Sequence, residues 1–319
     1  MAVYTPVSHQ ELSAFLVNFD IGKLLSYEGI EAGIENTNFF VNTTSGRYVL
    51  TLFEKYGREE LTFYLDLMCH LSAANISVAS PIVSNDGEVL GLLNNKPAAL
   101  VTCLSGRTEL KTTELHCSAI GRELARIHLV AVSFPQQHIS DHGHEWRIET
   151  AQQILPDLDR QDAEFLRQEV VFQQSLITDG LPAGVIHADL FHDNALFEKG
   201  ELSGVIDWYF ACNDFWLYDL AVVVNDWCCQ DDGALDEGKL MACLSAYHQV
   251  RPLSQRESEC WPGLLRAAAL RFWLSRLLDM LSPRSGEMVR QKDPNECRDK
   301  LQKRIHELGL IRSSWPVRL

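Results

Sequence analysis

Residues 187–194 constrain this chain more than any other stretch. They read His-Ala-Asp-Leu-Phe-His-Asp-Asn, so a histidine, an aspartate and an asparagine stand at the spacing H-x-D-x-x-x-x-N. Asp207 follows after a short hydrophobic segment. Short β-like runs frame this stretch, at 184–186, 195–197 and 202–206. The pattern therefore predicts a polar loop held between strands, with a second carboxylate one hairpin further along the chain.

The spacing equals that of the protein-kinase catalytic loop, which a metal-holding aspartate also follows. Phosphoryl transfer needs a carboxylate to take the proton of the incoming hydroxyl, and oxygen ligands to hold Mg²⁺ against the nucleotide phosphates. We expect Asp189 to be the general base, Asn194 and Asp207 to be Mg²⁺ ligands, and His187 to brace the loop. The alternative is that these side chains only cap turns, as Asp and Asn often do.

Composition excludes several other classes of protein. The formal net charge of −15 over 319 residues argues against a non-specific nucleic-acid binder, which would show a basic face. No stretch reaches the roughly 20 apolar residues of a membrane span, and the N-terminus lacks the pattern of a signal peptide. The nine cysteines show no regular spacing, which favours thiols in a reducing compartment. We expect a cytoplasmic protein without a nucleic-acid or membrane partner; the sequence does not indicate its oligomeric state.

The hydrophobic pattern changes from strand-like to helical near residue 104. Before it lie a capping box at Ser8–Glu11, a helix at 57–74, a hairpin around Asn85-Asp86-Gly87, and strands at 24–30, 37–43, 48–53 and 98–104. After it, helices are predicted at 112–131, 145–156, 160–178 and 264–281, and from 216 onward generally. This order predicts an α+β, two-lobed, protein-kinase-like fold. We expect a nucleotide-binding lobe at 1–104 and a catalytic, acceptor-binding lobe at 105–319.

Three parts of the first lobe are candidates for ATP binding. The loop between the first two strands offers Gly33, Asn36, Thr37 and Asn38, whose backbone or side-chain donors could cover phosphates. A plain hairpin loop is the alternative there. The third strand has Thr51 where protein kinases place a phosphate-binding lysine. The connector between lobes offers backbone to adenine at two positions, Thr102 and Leu104.

The second lobe carries a candidate brace and candidate acceptor contacts. Asp219 could accept backbone N–H bonds and hold the 187–194 loop, or it could simply complement a helix N-terminus. The acidic and aromatic stretch 207–232 favours an acceptor that carries an ammonium group, although most of its aromatics will be core. From this region we expect Asp226 and Trp227 to contact the acceptor. Arg271, in a later helix, could bind an acceptor carboxylate.

The 187–194 loop with Asp207 and Asp219 resembles the aminoglycoside phosphotransferase and choline kinase superfamily. Within it, residues 35–40 with 48–54, 185–194 and 219–228 are similar to the homoserine kinase branch. That resemblance implies phosphorylation of the side-chain hydroxyl of L-homoserine by ATP and Mg²⁺, a step toward threonine. It also implies that Thr is tolerated at position 51. His192 departs from the branch, which often has Arg there.

Two other interpretations remain open. The acceptor could be another small alcohol used in the superfamily: choline, an aminoglycoside, methylthioribose or hydroxylysine. Alternatively, Thr51 could mark a nucleotide-binding pseudokinase, although the three residues Asp189, Asn194 and Asp207 oppose that interpretation.

Overall fold

The computed structural model describes residues 5–30, 36–281 and 292–316. They divide into two compact units. The described residues of Met1–Gly106 join Ser203–Tyr209 in the first, which we call the sheet unit. Those of Arg107–Leu202 and from Phe210 onward form the second, the helical unit. Assigning nucleotide binding to one part of the chain and acceptor binding to the other stays a prediction.

The sheet unit is built on five antiparallel strands in the order β1-β2-β3-β5-β4. The second strand follows its sequence pattern, because buried and half-buried residues alternate along it with the period of two that a strand requires. The strands are β1 (Leu24–Gly29), β2 (Thr37–Thr43), β3 (Arg47–Leu52), β4 (Gly91–Leu93) and β5 (Lys96–Thr102).

Two helices, α1 (His9–Leu16) and α2 (Arg58–Ala73), belong to the same unit. The predicted capping box starts α1: Ser8 Oγ accepts the Glu11 N–H at 3.3 Å, and the Glu11 carboxylate accepts the Ser8 N–H at 2.7 Å. The apolar face of α1 packs into the same core as β2, β3 and β5. Each fully buried Leu or Phe there contributes about 1.5–3 kcal/mol.

The hairpin predicted around Asn85-Asp86-Gly87 is wrong in its strand pairing. A tight turn does form, since the Gly87 N–H donates to Ser84 O at 2.9 Å. However, β4 pairs with β5 across Asn94-Asn95, both of which have positive φ. Two Asn residues in the left-handed region suit such a two-residue turn, and the β5 edge offers a longer partner than 81–83 does.

The helical unit contains the remaining helices. They are α3 (Glu114–Ala131), α4 (His144–Ile154), α5 (Arg160–Gln174), α6 (Trp216–Trp227), α7 (Glu237–Val250), α8 (Gln255–Leu281), α9 (Pro294–His306) and α10 (Leu308–Ser313). Gly121 of α3 lies so close to α7 that a Cβ would collide with the Cys243 carbonyl oxygen. No helix in the described ranges is long and apolar enough to cross a membrane.

Short strands hold the 187–194 loop. Strand β6 (Ala183–Ile186) ends where the loop begins, and it pairs antiparallel with β9 (Cys212–Phe215). The loop ends in a 3-10 turn (His192–Asn194) and runs into β7 (Ala195–Glu198), which β8 (Glu201–Val205) follows. Helix α6 starts directly after β9, so one end of a buried helix lies beneath the loop.

Candidate active site

The backbone at the start of the 187–194 loop has an unusual conformation. Ala188 has a φ of 62°, in the left-handed region that costs a residue with a Cβ about 1–2 kcal/mol. The cost is offset by two hydrogen bonds, because the N–H groups of His187 and Ala188 donate to the two carboxylate oxygens of Asp219, each at 2.8 Å. The following residue, Asp189, is thereby turned away from the strand.

Asp219 is completely buried and makes a third contact. Its Oδ2 lies 3.1 Å from Nε2 of His128 on α3, whose Nδ1 lies 2.7 Å from the Tyr247 hydroxyl. Burial acts to raise the pKa of Asp219, but the hydrogen bonds from His128 and His187 outweigh it, so the pKa lies below its usual value. Burial also lowers the pKa of His128. The Asp219 carboxylate therefore holds the loop through two backbone N–H groups and is itself hydrogen-bonded to His128.

Asp189 is the half-buried side chain that this geometry presents. Its own N–H donates to Nδ1 of His187 at 3.3 Å. Asn194 Nδ2 donates to the Asp189 carbonyl oxygen at 2.8 Å and to Oδ2 at 3.2 Å. The three residues of the H-x-D-x-x-x-x-N pattern are thus brought together in one hydrogen-bonded loop.

The cation beside Asp189 comes from α8. Arg271 Nη1 lies 3.4 Å from Asp189 Oδ1, and its guanidinium packs on the ring of Phe272 at 3.9 Å and near that of Phe210 at 5.2 Å. Burial and then the charge of Arg271 lower the pKa of the neighbouring His142 to about 3, so that imidazole is neutral. A buried guanidinium, aromatic faces and a carboxylate therefore share one region of the helical unit.

The other two predicted acceptor residues contact the loop itself. Asp226 Oδ2 accepts both the N–H and the Nδ1 of His192, each at 2.7 Å. That hydrogen bond raises the pKa of His192. Trp227 is fully buried, and its indole N–H donates to the Leu190 carbonyl at 3.0 Å. Both residues support the loop from α6, and their predicted contact with an acceptor stays a prediction.

Asp207 belongs to the sheet unit. It is exposed and has a φ of 62°. Two residues later, Tyr209 packs edge-on against Phe53 and hydrogen-bonds Thr51. Burial and then the charge of Asp207 raise the pKa of Tyr209. The Asp207 side chain is therefore exposed, while Tyr209 anchors the segment to Phe53 and Thr51.

The predicted nucleotide residues of the sheet unit bond to each other or to Glu54. Thr51 Oγ1 donates to Asn38 Oδ1 at 2.8 Å, and Thr37 Oγ1 donates to Glu54 Oε1 at 2.8 Å. Asn36 is buried, and its Oδ1 accepts the Glu54 N–H at 3.4 Å. Gly33 lies outside the described residues. Position 51 thus holds a side chain that ties two strands together.

The connector residues differ in what they leave available. Both the N–H and the hydroxyl of Thr102 bond to Ser80, at 2.9 and 2.8 Å. The Thr102 N–H is therefore not available to adenine, and the Leu104 side chain lies against Gly204. Both assignments stay predictions.

Sequence reasoning missed three residues of this region. His128 lies within a predicted amphipathic helix and has no local signal, because only tertiary packing brings it to Asp219. Arg147 and Asp214 lie on α4 and β9, near Arg271 and Tyr218. The dense acidic and aromatic composition of 207–232 was a partial signal for Asp214.

Comparison with known proteins identifies the family. The phosphotransferase enzyme family model matches residues 26–253. A homoserine kinase of Methylobacillus flagellatus is 49% identical over 294 residues, which cover 92% of each chain. A homoserine kinase of Neisseria meningitidis serogroup B is 44% identical and covers 94% of this chain and 99% of its own. Similarity at this level extends over nearly the whole chain.

Solved structures are similar in fold at low sequence identity. A choline kinase from Cryptosporidium parvum has a TM-score of 0.68 at 16% identity, covering 96% of this chain and 99% of its own. An amicoumacin kinase solved with AMP-PNP and Ca²⁺ has a TM-score of 0.68 at 15% identity, covering 98% and 96%. The predicted protein-kinase-like fold is confirmed. The chain belongs to the phosphotransferase enzyme family and is a kinase related to the homoserine kinases.

Proposed function

We propose that this enzyme transfers the γ-phosphoryl group of ATP to the side-chain hydroxyl of L-homoserine. The observation that carries the proposal is Arg271, a buried cation 3.4 Å from the Asp189 carboxylate. A guanidinium at that place can bind an acceptor carboxylate, a contact that choline and aminoglycosides cannot make because they carry only positive charge. The homoserine kinases that resemble this chain over nearly its full length support the same acceptor.

In the proposed reaction Asp189 is the general base. The acceptor oxygen bonds to the γ-phosphorus as the bond from that phosphorus to the β,γ-bridging oxygen breaks, and the electron pair leaves with ADP. The hydroxyl proton passes to Asp189. Asn194 orients this carboxylate through the bond described above, His187 accepts the backbone N–H of Asp189, and Asp219 holds the backbone at the start of the loop. Positioning of this kind supplies most of the rate enhancement in phosphoryl transfer.

Asn194 and Asp207 are the proposed Mg²⁺ ligands. Their donor set fits this ion, because both offer oxygen and the Asn194 amide nitrogen is already committed to Asp189, which leaves its oxygen to face a metal. An ion held by these two residues would supply positive charge against the phosphates of the nucleotide. Exposure of the Asp207 carboxylate agrees with a ligand role.

In the sheet unit we propose that ATP binds along Asn36, Thr37, Asn38, Thr51 and the connector at Thr102 and Leu104. The sheet unit has no lysine at position 51, where Thr51 bonds to Asn38. The AMP-PNP complex of the amicoumacin kinase supports a nucleotide as the phosphoryl donor in this fold. Backbone N–H groups therefore supply most of the proposed phosphate contacts.

An acceptor panel tests the proposal. ADP release is measured with L-homoserine, choline, methylthioribose, hydroxylysine and an aminoglycoside, each with ATP and Mg²⁺. We expect L-homoserine to have the highest kcat/KM. Turnover of another alcohol while L-homoserine is inert would overturn the assignment, and ATP binding without turnover of any acceptor would indicate a pseudokinase.

A further inference from the structure

A group of polar side chains that the proposed reaction does not use surrounds Tyr218. Tyr218 stands in the first turn of α6, next to Asp219, and is 3% exposed. The guanidinium of Arg147, on α4, lies 5.2 Å from the centre of its ring, and Arg147 is 5% exposed. Asp214 is on β9, directly before the helix. Three elements thus bring a hydroxyl, a cation and a carboxylate to one place in the helical unit.

Two buried atoms in this group lack a hydrogen-bond partner among the described residues. They are the Tyr218 hydroxyl oxygen and the Arg147 Nε. Arg147 is otherwise engaged through Nη1, which donates to the His142 carbonyl at 3.3 Å. A buried donor without a partner costs about 1–3 kcal/mol, so two such donors in one group favour a bound ligand or an ordered water there.

Charges of both signs lie around the Tyr218 hydroxyl. Burial raises the pKa of Tyr218, while the charges of Arg147 and Arg271 act to lower it and that of Asp214 acts to raise it. Burial also raises the pKa of Asp214, and its Oδ1 accepts the Phe215 N–H at 2.7 Å. Two cations and the carboxylates of Asp214 and Asp189 make a region that matches a ligand with one positive and one negative group.

We propose that Arg147 and the Tyr218 hydroxyl bind the α-carboxylate of the acceptor and that Asp214 binds its α-ammonium group. This inference rests on the proposed function and adds the residues that select an amino acid over other alcohols. Arg271 lies near both Tyr218 and Asp189, so its guanidinium adds to the attraction of the α-carboxylate toward this site. An acceptor that lacks either charged group leaves a buried donor or carboxylate unpaired, and such an acceptor is rejected.

Truncated acceptors separate the two halves of the site. 3-Amino-1-propanol is homoserine without its carboxylate, and 4-hydroxybutanoate is homoserine without its ammonium group. Tyr218→Phe and Arg147→Gln are expected to raise KM for L-homoserine about 10- to 100-fold, the effect of losing a charge-assisted hydrogen bond. For 3-amino-1-propanol the same variants are expected to change kcat/KM less than about threefold, because the lost bond was to the missing carboxylate. Asp214→Asn is expected to lower kcat/KM for L-homoserine and to leave kcat/KM for 4-hydroxybutanoate nearly unchanged.

The matched control is Arg167→Gln, which removes an exposed guanidinium on α5 whose ion-pair partner among the described residues is Glu164 of the same helix. This substitution is expected to leave kcat/KM unchanged for every acceptor. Tyr218→Phe retains the ring and its contact with Arg147, so it remains informative if Arg147→Gln does not fold. Equal losses for L-homoserine and both truncated acceptors would overturn the inference, since a bound water or a structural role affects every acceptor alike.

A binding measurement separates failure of the inference from failure of the proposed function. L-2-Aminobutanoate is homoserine without the hydroxyl, so its binding by calorimetry needs no turnover. Weaker binding in Tyr218→Phe and Arg147→Gln, but not in Arg167→Gln, supports the amino-acid site even if the panel identifies another alcohol. No difference between these variants and the wild type overturns the site, while turnover of L-homoserine by the wild type would still support the proposed function.

Discussion

The polar residues of the two units are satisfied in different ways. In the sheet unit Thr51 bonds to Asn38, and Thr37 bonds to Glu54, so candidate nucleotide residues are already paired with their neighbours. In the helical unit Arg147 and Tyr218 each keep a buried donor that no described residue bonds. Paired side chains stabilise the strands, and the backbone of those strands remains a candidate for nucleotide binding. Unpaired buried donors point instead to recognition of a specific small molecule by side chains.

The largest effect expected from this comparison concerns Asp189 in the helical unit. Asp189→Asn retains the shape of the side chain and removes the base, so kcat should fall about 10²- to 10⁴-fold. ATP affinity, measured by calorimetry with Mg²⁺, should stay within a factor of about three. Asp231→Asn is the control, because Asp231 is exposed and lies outside the 187–194 loop. Loss of ATP binding in Asp189→Asn would contradict the assigned role.

The next effect is on stability. Asp219→Ala removes the acceptor for two buried N–H groups and for His128, and hydrogen bonds to a charged group contribute about 1.5–3 kcal/mol each. We expect the free energy of unfolding in urea to fall by at least about 3 kcal/mol. Asp231→Ala, at an exposed position, should change it by less than about 0.5 kcal/mol. Equal stability of both variants would mean that the loop holds its conformation without Asp219.

A smaller effect is expected in the sheet unit. Thr51→Val is nearly isosteric and removes the bonds to Asn38 and Tyr209, so it should cost about 1–3 kcal/mol of stability. The KM for ATP should rise less than about tenfold, because the hydroxyl is already paired and most proposed phosphate contacts come from backbone. Thr62→Val, at an exposed position on α2, is the control. A much larger rise in KM would show that Thr51 contacts the nucleotide directly.

The smallest effect is a pH dependence at Glu54. Burial acts to raise the pKa of this carboxyl, but hydrogen bonds from Thr5, Thr37 and Lys96 outweigh it and leave the pKa below its usual value. Its contribution is therefore present above the unfolded pKa of 4.5 and is lost as the pH falls through the lower folded value. Glu54→Gln should be about 1 kcal/mol less stable at pH 7. The difference should shrink below pH 4.5, and a difference that does not change with pH would contradict this account.

Local patterns predicted much of the fold. The capping box at Ser8, the period-two strands and the change to helical periodicity near residue 104 all depend on neighbouring residues. The pairing of β4 with β5 was missed because two hairpins were compatible with the same sequence, and the sheet edge decided between them. Element type is local, whereas strand partners depend on the whole sheet.

The sequence by itself determined the type of reaction, because one short segment carries the proposed base, its proposed brace and a proposed metal-ligating oxygen. Only the tertiary structure placed Arg271 beside Asp189 and Arg147 beside Tyr218, since α4, α6 and α8 are distant in sequence and meet through packing. Helical periodicity indicates which face of a helix is buried but not which charged group it will meet there. The type of reaction could therefore be predicted from the loop, whereas the selection of its acceptor depends on how the helices pack around it.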